Sequence, residues 1–310
     1  MALLDESASG VFVIGVTPFT DDGALDLDST DRVVDFYLER GATGLTVLGM
    51  MGEAPKLTAE ESRIFVRRVL ARVGGRVPVV VGVSAPGFAP MRELAETVMD
   101  DGAAGVMVAP PASLRTDDQI YNYYEMVAET LGAATPFVLQ DFPLATGVQI
   151  APSVIQRIVK AIPSCVMLKH EDWPGLAKIA ALRAASDRGE MRRISILVGN
   201  GGVLLPEELS RGADGAMTGF AYPEMMVDVW RAHAAGDIER AHDLFDAYLP
   251  LARYEQQPGL GLAIRKYVLA RRGAIASATL RKPGGKLSQA DIADIERLIA
   301  RQERRLSELG

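Results

Sequence analysis

Lys169 is the residue of this sequence whose type and position most clearly suggest chemistry, because it directly follows the apolar run Cys-Val-Met-Leu at 165–168. Side chains alternate along a strand, so Lys169 should point along the inner axis of a barrel if Val166 and Met167 are placed as their neighbours suggest. An ammonium group there is costly to desolvate, which favours a neutral amine that attacks a ketone. The structural alternative is a lysine paired with Glu171 or Asp141.

An imine between Lys169 and a 2-oxo acid withdraws electrons from the adjacent carbon and needs a proton carrier to use that effect. Glu171 lies two residues further on the same strand face and is the predicted general acid and base. Asp141 and His170 are the next candidates for this role. His170 and Asp172 should face away from the barrel mouth. Each of these groups has the alternative role of a helix cap or a solvated loop charge.

The same polar cluster, Asp141 with the segment 170–172, also permits a metal hypothesis, because carboxylates and imidazole bind divalent cations. Adjacent residues on a strand face opposite sides, so they rarely coordinate one ion together. A metal-dependent aldolase is therefore the disfavoured alternative, and we predict neither a metal nor an organic cofactor.

The segment Gly49-Met50-Met51-Gly52-Glu53 is a second candidate site. Two glycines around a tight turn can leave consecutive backbone N–H groups pointing into the mouth, where they bind a carboxylate. Met50, Met51 and Gly52 are therefore predicted substrate-binding residues. Glycines also end strands for turn geometry alone, which is the structural alternative.

Eight short apolar runs alternate with longer amphipathic segments, which predicts a parallel sheet covered by helices and closed into a (β/α)8 TIM barrel. An open doubly wound sheet is the alternative, disfavoured because no GxGxxG follows the first run. The predicted strands are 11–19, 44–49, 78–85, 105–111, 136–143, 165–172, 194–201 and 215–222. Predicted helices between them include 29–40, 58–73, 117–131 and 174–186.

After Tyr222 the strand pattern stops, so we predict a catalytic barrel over 1–223 and a helical region over 224–310 packed on it. The predicted tail helices are 224–235, 238–254, 259–272 and 288–307, with a loop at 282–285. The last helix alternates arginine with glutamate, which is typical of a solvated face.

Composition limits the partners. A net charge of −7 without a basic stripe disfavours nucleic acid, and no apolar run has transmembrane length. The first ten residues lack the features of a signal peptide, so we expect a cytoplasmic protein whose partner is a small molecule. Cys165 is the only cysteine and is expected to be a small core residue at the start of a strand.

The order of motifs resembles the dihydrodipicolinate synthase / N-acetylneuraminate lyase family. The match includes Gly-Val-Thr-Pro-Phe at 15–19, the segment 49–53, Pro143 with Thr146-Gly147, Lys169, and the segments 197–202 and 213–219. The resemblance implies a barrel with carboxyl-terminal helices, class I aldolase chemistry, a pyruvate-type substrate and a homotetramer or homodimer. It also implies that Lys169 forms the imine, that 49–53 binds the carboxylate, and that Gly199 and Met217 line the bound acid.

This sequence departs from the family at positions that bear on activity. Met50 and Met51 replace hydroxyl residues, and Gln140 replaces the tyrosine that carries protons in strand five. An amide donates hydrogen bonds but does not act as an acid or base near neutral pH. The expected second tyrosine and the arginine that would clamp a second carboxylate are also replaced, by Pro110-Pro111-Ala112 and Leu144-Ala145.

We therefore predict a lyase, of aldolase or hydro-lyase type, that acts on a pyruvate-type 2-oxo acid and is not a true dihydrodipicolinate synthase. Lys169, Glu171 and Gln140 are the predicted catalytic residues. Apolar Met50, Met51, Phe142 and Ala145 favour a substrate less polar than the family's usual one, derived from a sugar or an aromatic compound. The missing tyrosine leaves a non-catalytic barrel that binds 2-oxo acids as the alternative.

Overall fold

The computed structural model describes residues 2–173 and 175–310. Eight parallel strands close into a barrel in which each strand pairs with its neighbours in chain order and the last pairs with the first. The predicted (β/α)8 barrel is therefore confirmed. The strands are β1 Gly10–Ile14, β2 Gly44–Val47, β3 Val79–Gly82, β4 Gly105–Val108, β5 Phe137–Asp141, β6 Cys165–His170, β7 Ser195–Val198 and β8 Gly215–Thr218.

Each predicted strand is present but shorter than its apolar run. Residues beyond the strand ends, such as Val16 and Phe19 after β1, are buried in the loops at the barrel mouth. Burial there demands the same residue types as a strand, so hydrophobicity alone does not mark where the strand stops.

The helices are α1 Leu27–Glu39, α2 Ala59–Val73, α3 Phe88–Asp100, α4 Asp117–Leu131, α5 Pro143–Thr146, α6 Pro152–Ala161, α7 Leu176–Asp187, α8 Leu205–Ser210, α9 Pro223–Ala234, α10 Ile238–Glu255, α11 Gly261–Arg271 and α12 Gln289–Leu309. Local sequence fixes several starts: Thr58 caps α2 and Thr116 caps α4, each in a reciprocal capping box. Pro174, the predicted first residue of α7, lies outside the described residues.

Alternating strand residues divide the core into two layers. One layer fills the barrel interior and includes Ile14, Met107, Met167 and Met217. The other lies between the strands and the surrounding helices. This is the packing that a closed parallel sheet requires, since both of its faces are covered.

The pairing of β5 with β6 contains an irregularity that sets the position of Lys169. Phe137 pairs with Cys165, but Val138 pairs with Met167, so Val166 is an extra residue on β6. Beyond this bulge Gln140 pairs with Lys169, which places the two side chains next to each other on the inner face.

The carboxyl-terminal helices do not form an isolated appendage. α9 follows β8 and packs against β1, so it is the helix that closes the ring of helices around the barrel. All but its first residue lie after the predicted domain boundary at 223/224, and that boundary stays a prediction. α10 packs on α9 and α12, and Ile295 and Ile299 of α12 are fully buried. Arg301, Arg304 and Arg305 are exposed, as expected for a solvated face. None of the described helices is both long and apolar enough to cross a bilayer.

Candidate functional site

Lys169, Glu171 and Gln140 form a buried contact at the carboxyl ends of β5 and β6. The Lys169 Nζ lies 3.0 Å from the Glu171 Oε2, and the Gln140 Nε2 donates to the same oxygen at 2.7 Å. Lys169 and Glu171 are each 5% exposed. Because one carboxylate oxygen contacts both the amine and the amide, a proton can pass between Lys169 and Glu171 without a large movement.

Two features position Glu171: the hydrogen bonds of its backbone, and the space left by the absence of a side chain on Gly199. Its N–H donates to the Asp141 carbonyl at 2.8 Å, and its carbonyl accepts from the Asn200 Nδ2 at 3.1 Å. A Cβ on Gly199 would lie 2.1 Å from the Glu171 Cγ. Gly199 is therefore placed to give Glu171 room, rather than to line the bound acid as expected.

The other polar side chains of these strands face the helices. Asp141 accepts from the Lys178 Nζ at 2.7 Å and lies 3.7 Å from the His170 Nδ1, and Lys178 also contacts Asp172 at 2.7 Å. His170 and Asp172 thus face away from the mouth as predicted. Asp141 does so as well, which removes Asp141 and His170 as direct proton carriers, because strand alternation turns them outward.

Among residues 2–173 and 175–310, no group of three or more His, Cys, Asp or Glu side chains is arranged to hold a metal ion. Cys165 is a free buried cysteine at the start of β6, as expected, and burial raises the pKa of its thiol to about 12. A thiol that stays protonated at neutral pH is a poor nucleophile, so Cys165 is a packing residue.

The segment 49–53 forms a 3-10 turn over Met50–Gly52. The Gly52 N–H donates to the Gly49 carbonyl at 3.0 Å and the Glu53 N–H to the Met50 carbonyl at 3.1 Å. Within the described part of the chain, the Met50 and Met51 N–H groups of this turn have no such acceptor. The predicted nest is therefore narrower than expected: the Gly52 N–H is occupied, and its carbonyl accepts from Thr17 at 2.6 Å.

Three non-glycine residues with positive φ lie next to this mouth: Leu48 at 55°, Glu53 at 55° and Asn200 at 51°. Such conformations cost about 1–3 kcal/mol each, so the surrounding structure must hold them. Glu53 is held by contacts to the tail: its Oε1 lies 2.6 Å from the Lys266 Nζ, and its Oε2 accepts from the Arg281 N–H at 3.0 Å. Burial lowers the pKa of Lys266, and the charge of Glu53 opposes that effect.

A cavity of about 80 Å³ opens beside Lys169. Five of the eight predicted site residues line it: Lys169, Glu171, Gln140, Met50 and Met51. Gly52, Gly199 and Met217 do not. Met217 is fully buried in the layer that fills the barrel interior. It lies two residues before Gly219, which does line the cavity, so it is deeper in the barrel. Ala145 is exposed and also lies outside the cavity, although Phe142 lines it.

Four polar residues that line the cavity were not predicted from the sequence: Asn200, Thr218, Gln256 and Arg265. The last two come from the tail. Arg265 is 2% exposed, and its Nε donates to the Glu255 Oε1 at 2.5 Å. The sequence held one signal for Arg265, because this charged residue interrupts the apolar sequence of α11. A charge that is buried in a helix needs a partner, which points to a polar site nearby. The mouth is thus more polar than predicted.

A closed parallel barrel with a buried lysine and carboxylate at the carboxyl ends of its strands defines a (β/α)8-barrel protein whose site lies where this fold places active sites. The chain belongs to the dihydrodipicolinate synthetase family, whose model matches residues 7–302. The family resemblance predicted from the motifs is confirmed.

Curated relatives and solved structures agree with this assignment. The chain is 31% identical to an L-2-keto-3-deoxyarabonate dehydratase from Azospirillum brasilense, over 94% of each chain. It is 32% identical to a 4-hydroxy-tetrahydrodipicolinate synthase from Sorangium cellulosum, over 95% of this chain and 97% of the other. A crystal structure of dihydrodipicolinate synthase from Rhodopseudomonas palustris is 52% identical, with a TM-score of 0.95, over 97% of this chain and 100% of that chain. The family thus includes lyases of both dehydratase and synthase type.

Proposed function

We propose that this protein is a class I lyase in which Lys169 forms an imine with a 2-oxo acid. The observation that carries the proposal is the contact of 3.0 Å between the Lys169 Nζ and the Glu171 Oε2 inside a small buried cavity. Glu171 takes the proton from the ammonium group, and the free amine adds to the ketone carbon. Loss of water from the adduct, with protons returned by Glu171, gives the imine.

The remaining steps use the Glu171 carboxylate again. The N–H groups of Met50 and Met51 bind the carboxylate of the acid, which sets the ketone beside Lys169. Glu171 removes a proton from the carbon next to the imine, and the electron pair forms an enamine. For dehydration, the enamine expels the hydroxyl group of the next carbon, which leaves as water with the proton that Glu171 now carries. For aldol cleavage, Glu171 instead removes the proton of that hydroxyl group, the carbon becomes a carbonyl, and the bond that joins it to the carbon next to the imine breaks to give the enamine directly. Gln140 holds Glu171 in position and does not itself carry a proton.

Within this class we propose a dehydratase or aldolase rather than a dihydrodipicolinate synthase. Met50, Met51 and Gln140, which line the cavity, replace the hydroxyl residues and the tyrosine that the family resemblance implies for the synthase. The dehydratase from Azospirillum brasilense is a relative over nearly the whole chain, which supports an elimination reaction. Purified protein should therefore fail to condense pyruvate with aspartate semialdehyde at a turnover typical of enzymes.

A barrel that binds 2-oxo acids without turnover is the second candidate. Gln140 favours it, because an amide stands where the family resemblance implies a tyrosine, and an amide does not act as an acid or base near neutral pH. A metal-dependent aldolase is the third and least favoured. We further propose that the protein acts in the cytoplasm as a homotetramer or homodimer, with a small 2-oxo acid as its partner and without nucleic acid or membrane.

Reductive trapping tests the proposal. The protein is incubated with pyruvate and other 2-oxo acids, reduced with borohydride, and the adduct is located by peptide mapping. We expect a mass adduct on Lys169 and none in Lys169→Met. Glu171→Gln should slow turnover of a 2-oxo acid substrate by about 10²–10⁴-fold, which is typical for loss of a general acid–base.

The outcomes separate the candidates. An adduct on Lys169 with no turnover of any 2-oxo acid favours the binding barrel. Activity that is lost in EDTA and leaves no adduct favours the metal-dependent route. Unchanged turnover in Glu171→Gln removes Glu171 from the mechanism.

A further inference from the structure

Arg265 is a buried arginine of the tail, and one of its three guanidinium nitrogens has no hydrogen-bond partner. Its Nε donates to the Glu255 Oε1 at 2.5 Å, and its Nη2 donates to the Gly219 carbonyl. The Nη1 is buried and has no hydrogen-bond partner. An unpaired buried donor is costly, so a group that accepts a hydrogen bond from it is stabilised.

The guanidinium borders the cavity that holds Lys169. Arg265 and Gly219 both line this cavity, and a Cβ on Gly219 would lie 2.2 Å from the Arg265 Nη1. Only a glycine at 219 leaves the guanidinium its present position. Arg265 and Gly219 together form the wall of the site on the side contributed by β8 and α11, and the Nη1 lies against Gly219 within that wall.

The charges around the cavity indicate what kind of oxygen would accept a hydrogen bond from the Arg265 Nη1. Among the described residues, the charged lining side chains are Lys169, Glu171 and Arg265. Lys169 is balanced by Glu171 and Arg265 by Glu255, so no cation is left without a counter-charge. One carboxylate of a 2-oxo acid already makes the site negative. A second carboxylate would add a further charge to a buried site, whereas a hydroxyl oxygen would not.

We propose that Arg265 is a specificity-determining residue that donates from its Nη1 to a hydroxyl group of the substrate, so that the substrate is a hydroxylated 2-oxo acid. The inference rests on the proposed function, which places the 2-oxo group at Lys169. It assigns to the helical tail a direct part in choosing the substrate.

The test compares three acids in Arg265→Lys, which keeps the charge beside Glu255 but removes the forked donor. Pyruvate has no further oxygen, 2-keto-3-deoxyarabonate has two hydroxyl groups, and 2-oxoglutarate has a second carboxylate. The readouts are the half-saturating concentration for borohydride trapping and the calorimetric dissociation constant. Arg271→Lys is the matched control, because Arg271 lies on the same helix with its side chain 39% exposed.

We expect Arg265→Lys to raise the half-saturating concentration of 2-keto-3-deoxyarabonate by about 10- to 100-fold, the usual range for one charged hydrogen bond. Pyruvate should change less than about threefold, and Arg271→Lys should change neither. An equal loss for pyruvate would show that Arg265 binds the shared carboxylate and would overturn the proposal. A larger loss for 2-oxoglutarate would overturn the choice of a hydroxyl group.

A second variant changes the residue that the Arg265 Nη1 lies against, and not Arg265 itself. Gly219→Ala displaces the Arg265 guanidinium while leaving Arg265 and Glu255 in the chain, and it should reproduce the selective loss. The absence of any adduct in the unmodified protein defeats the proposed function. Calorimetry then still tests Arg265, because binding of the hydroxylated acid does not require the imine, and equal binding in Arg265→Lys defeats the inference.

Discussion

Glu171 is the residue on which the proposed chemistry depends, because its Oε2 contacts the Lys169 amine and the Gln140 amide together. Two unrelated features fix its side chain: a backbone pairing with β5 and the space above Gly199. A carboxylate held in this way can return a proton to the atom from which it came. The position of Glu171, and not only its presence, should therefore control the rate.

Gly199→Ala tests the position of Glu171. The new Cβ would lie 2.1 Å from the Glu171 Cγ and 2.5 Å from its Cδ, so the carboxylate must move. A displacement near 1 Å at a catalytic group costs about 100-fold, so we expect turnover of a 2-oxo acid substrate to fall by about 10- to 100-fold. Steady-state kinetics measure this, with circular dichroism to check the fold.

Gly87→Ala is the control for this variant. A Cβ on Gly87 meets nothing within 4 Å, and its φ of −137° suits any residue. It should leave turnover unchanged. Full activity in Gly199→Ala would contradict the proposed role of Glu171.

At the scale of elements, the tail holds the turn that carries Met50 and Met51. Lys266 of α11 is completely buried and contacts the Glu53 Oε1 at 2.6 Å, and it also lies 4.4 Å from the centre of the Phe19 ring. The Lys56 Nζ contacts the other oxygen of Glu53 at 2.8 Å. The positive φ of Glu53 is thus stabilised by a residue more than 200 positions away in the chain.

Lys266→Met should destabilise the protein and loosen this turn. Removing one partner of a buried ion pair costs about 3–5 kcal/mol when the other charge is left alone. Glu53 keeps Lys56 and the Arg281 N–H, so we expect a smaller loss in the free energy of unfolding, about 2–3 kcal/mol, measured by urea denaturation. The half-saturating concentration for pyruvate trapping should also rise, because the two N–H groups lose their fixed orientation.

Lys286→Met, an exposed lysine of the same tail, is the matched control and should change neither quantity. A Lys266→Met protein with an unchanged urea midpoint and unchanged pyruvate trapping would show that the turn does not depend on the tail.

At the scale of the whole molecule, stability should depend on one buried acid far from the site. Burial, with the neighbouring charge of Glu207, raises the pKa of Glu208 from 4.5 to about 8. A raised folded-state pKa means that the folded protein binds this proton more tightly than the unfolded chain. The stabilisation is therefore complete below about pH 4.5 and is lost as the pH rises through 8.

Glu208→Gln should remove the loss of folding stability that the protein shows as the pH rises through 8. At pH 8 we expect its free energy of unfolding to exceed that of the unmodified protein by about 2–4 kcal/mol, since one pKa unit corresponds to about 1.4 kcal/mol. Near pH 5 the two proteins should be similar. Urea denaturation at both pH values measures the difference, with the exposed Glu303→Gln as control. A constant difference at all pH values would contradict the assignment to Glu208.

The alternation of apolar runs and amphipathic segments was sufficient to predict the barrel, because a closed parallel sheet needs apolar residues on both faces of every strand. The two-residue period of a strand correctly placed Lys169 and Glu171 on one face, and the family resemblance pointed to Gln140 in the neighbouring strand. The resemblance also implied Met217 and Gly199 as lining residues, but neither lines the cavity, because a family position does not tell how deep a side chain lies. The ends of the strands were also missed, since the buried mouth loops have strand-like composition.

The sequence by itself determined the fold class, the family and the lysine with its carboxylate, because these depend on local period and on the order of motifs. Only the tertiary structure decided that the tail takes part in the site. Arg265 and Lys266 lie more than 40 residues after the last strand, and the helical period of α11 does not say which neighbour that helix meets. Contacts between segments far apart in the chain are fixed by packing of the whole molecule, so they become visible only when the chain is folded.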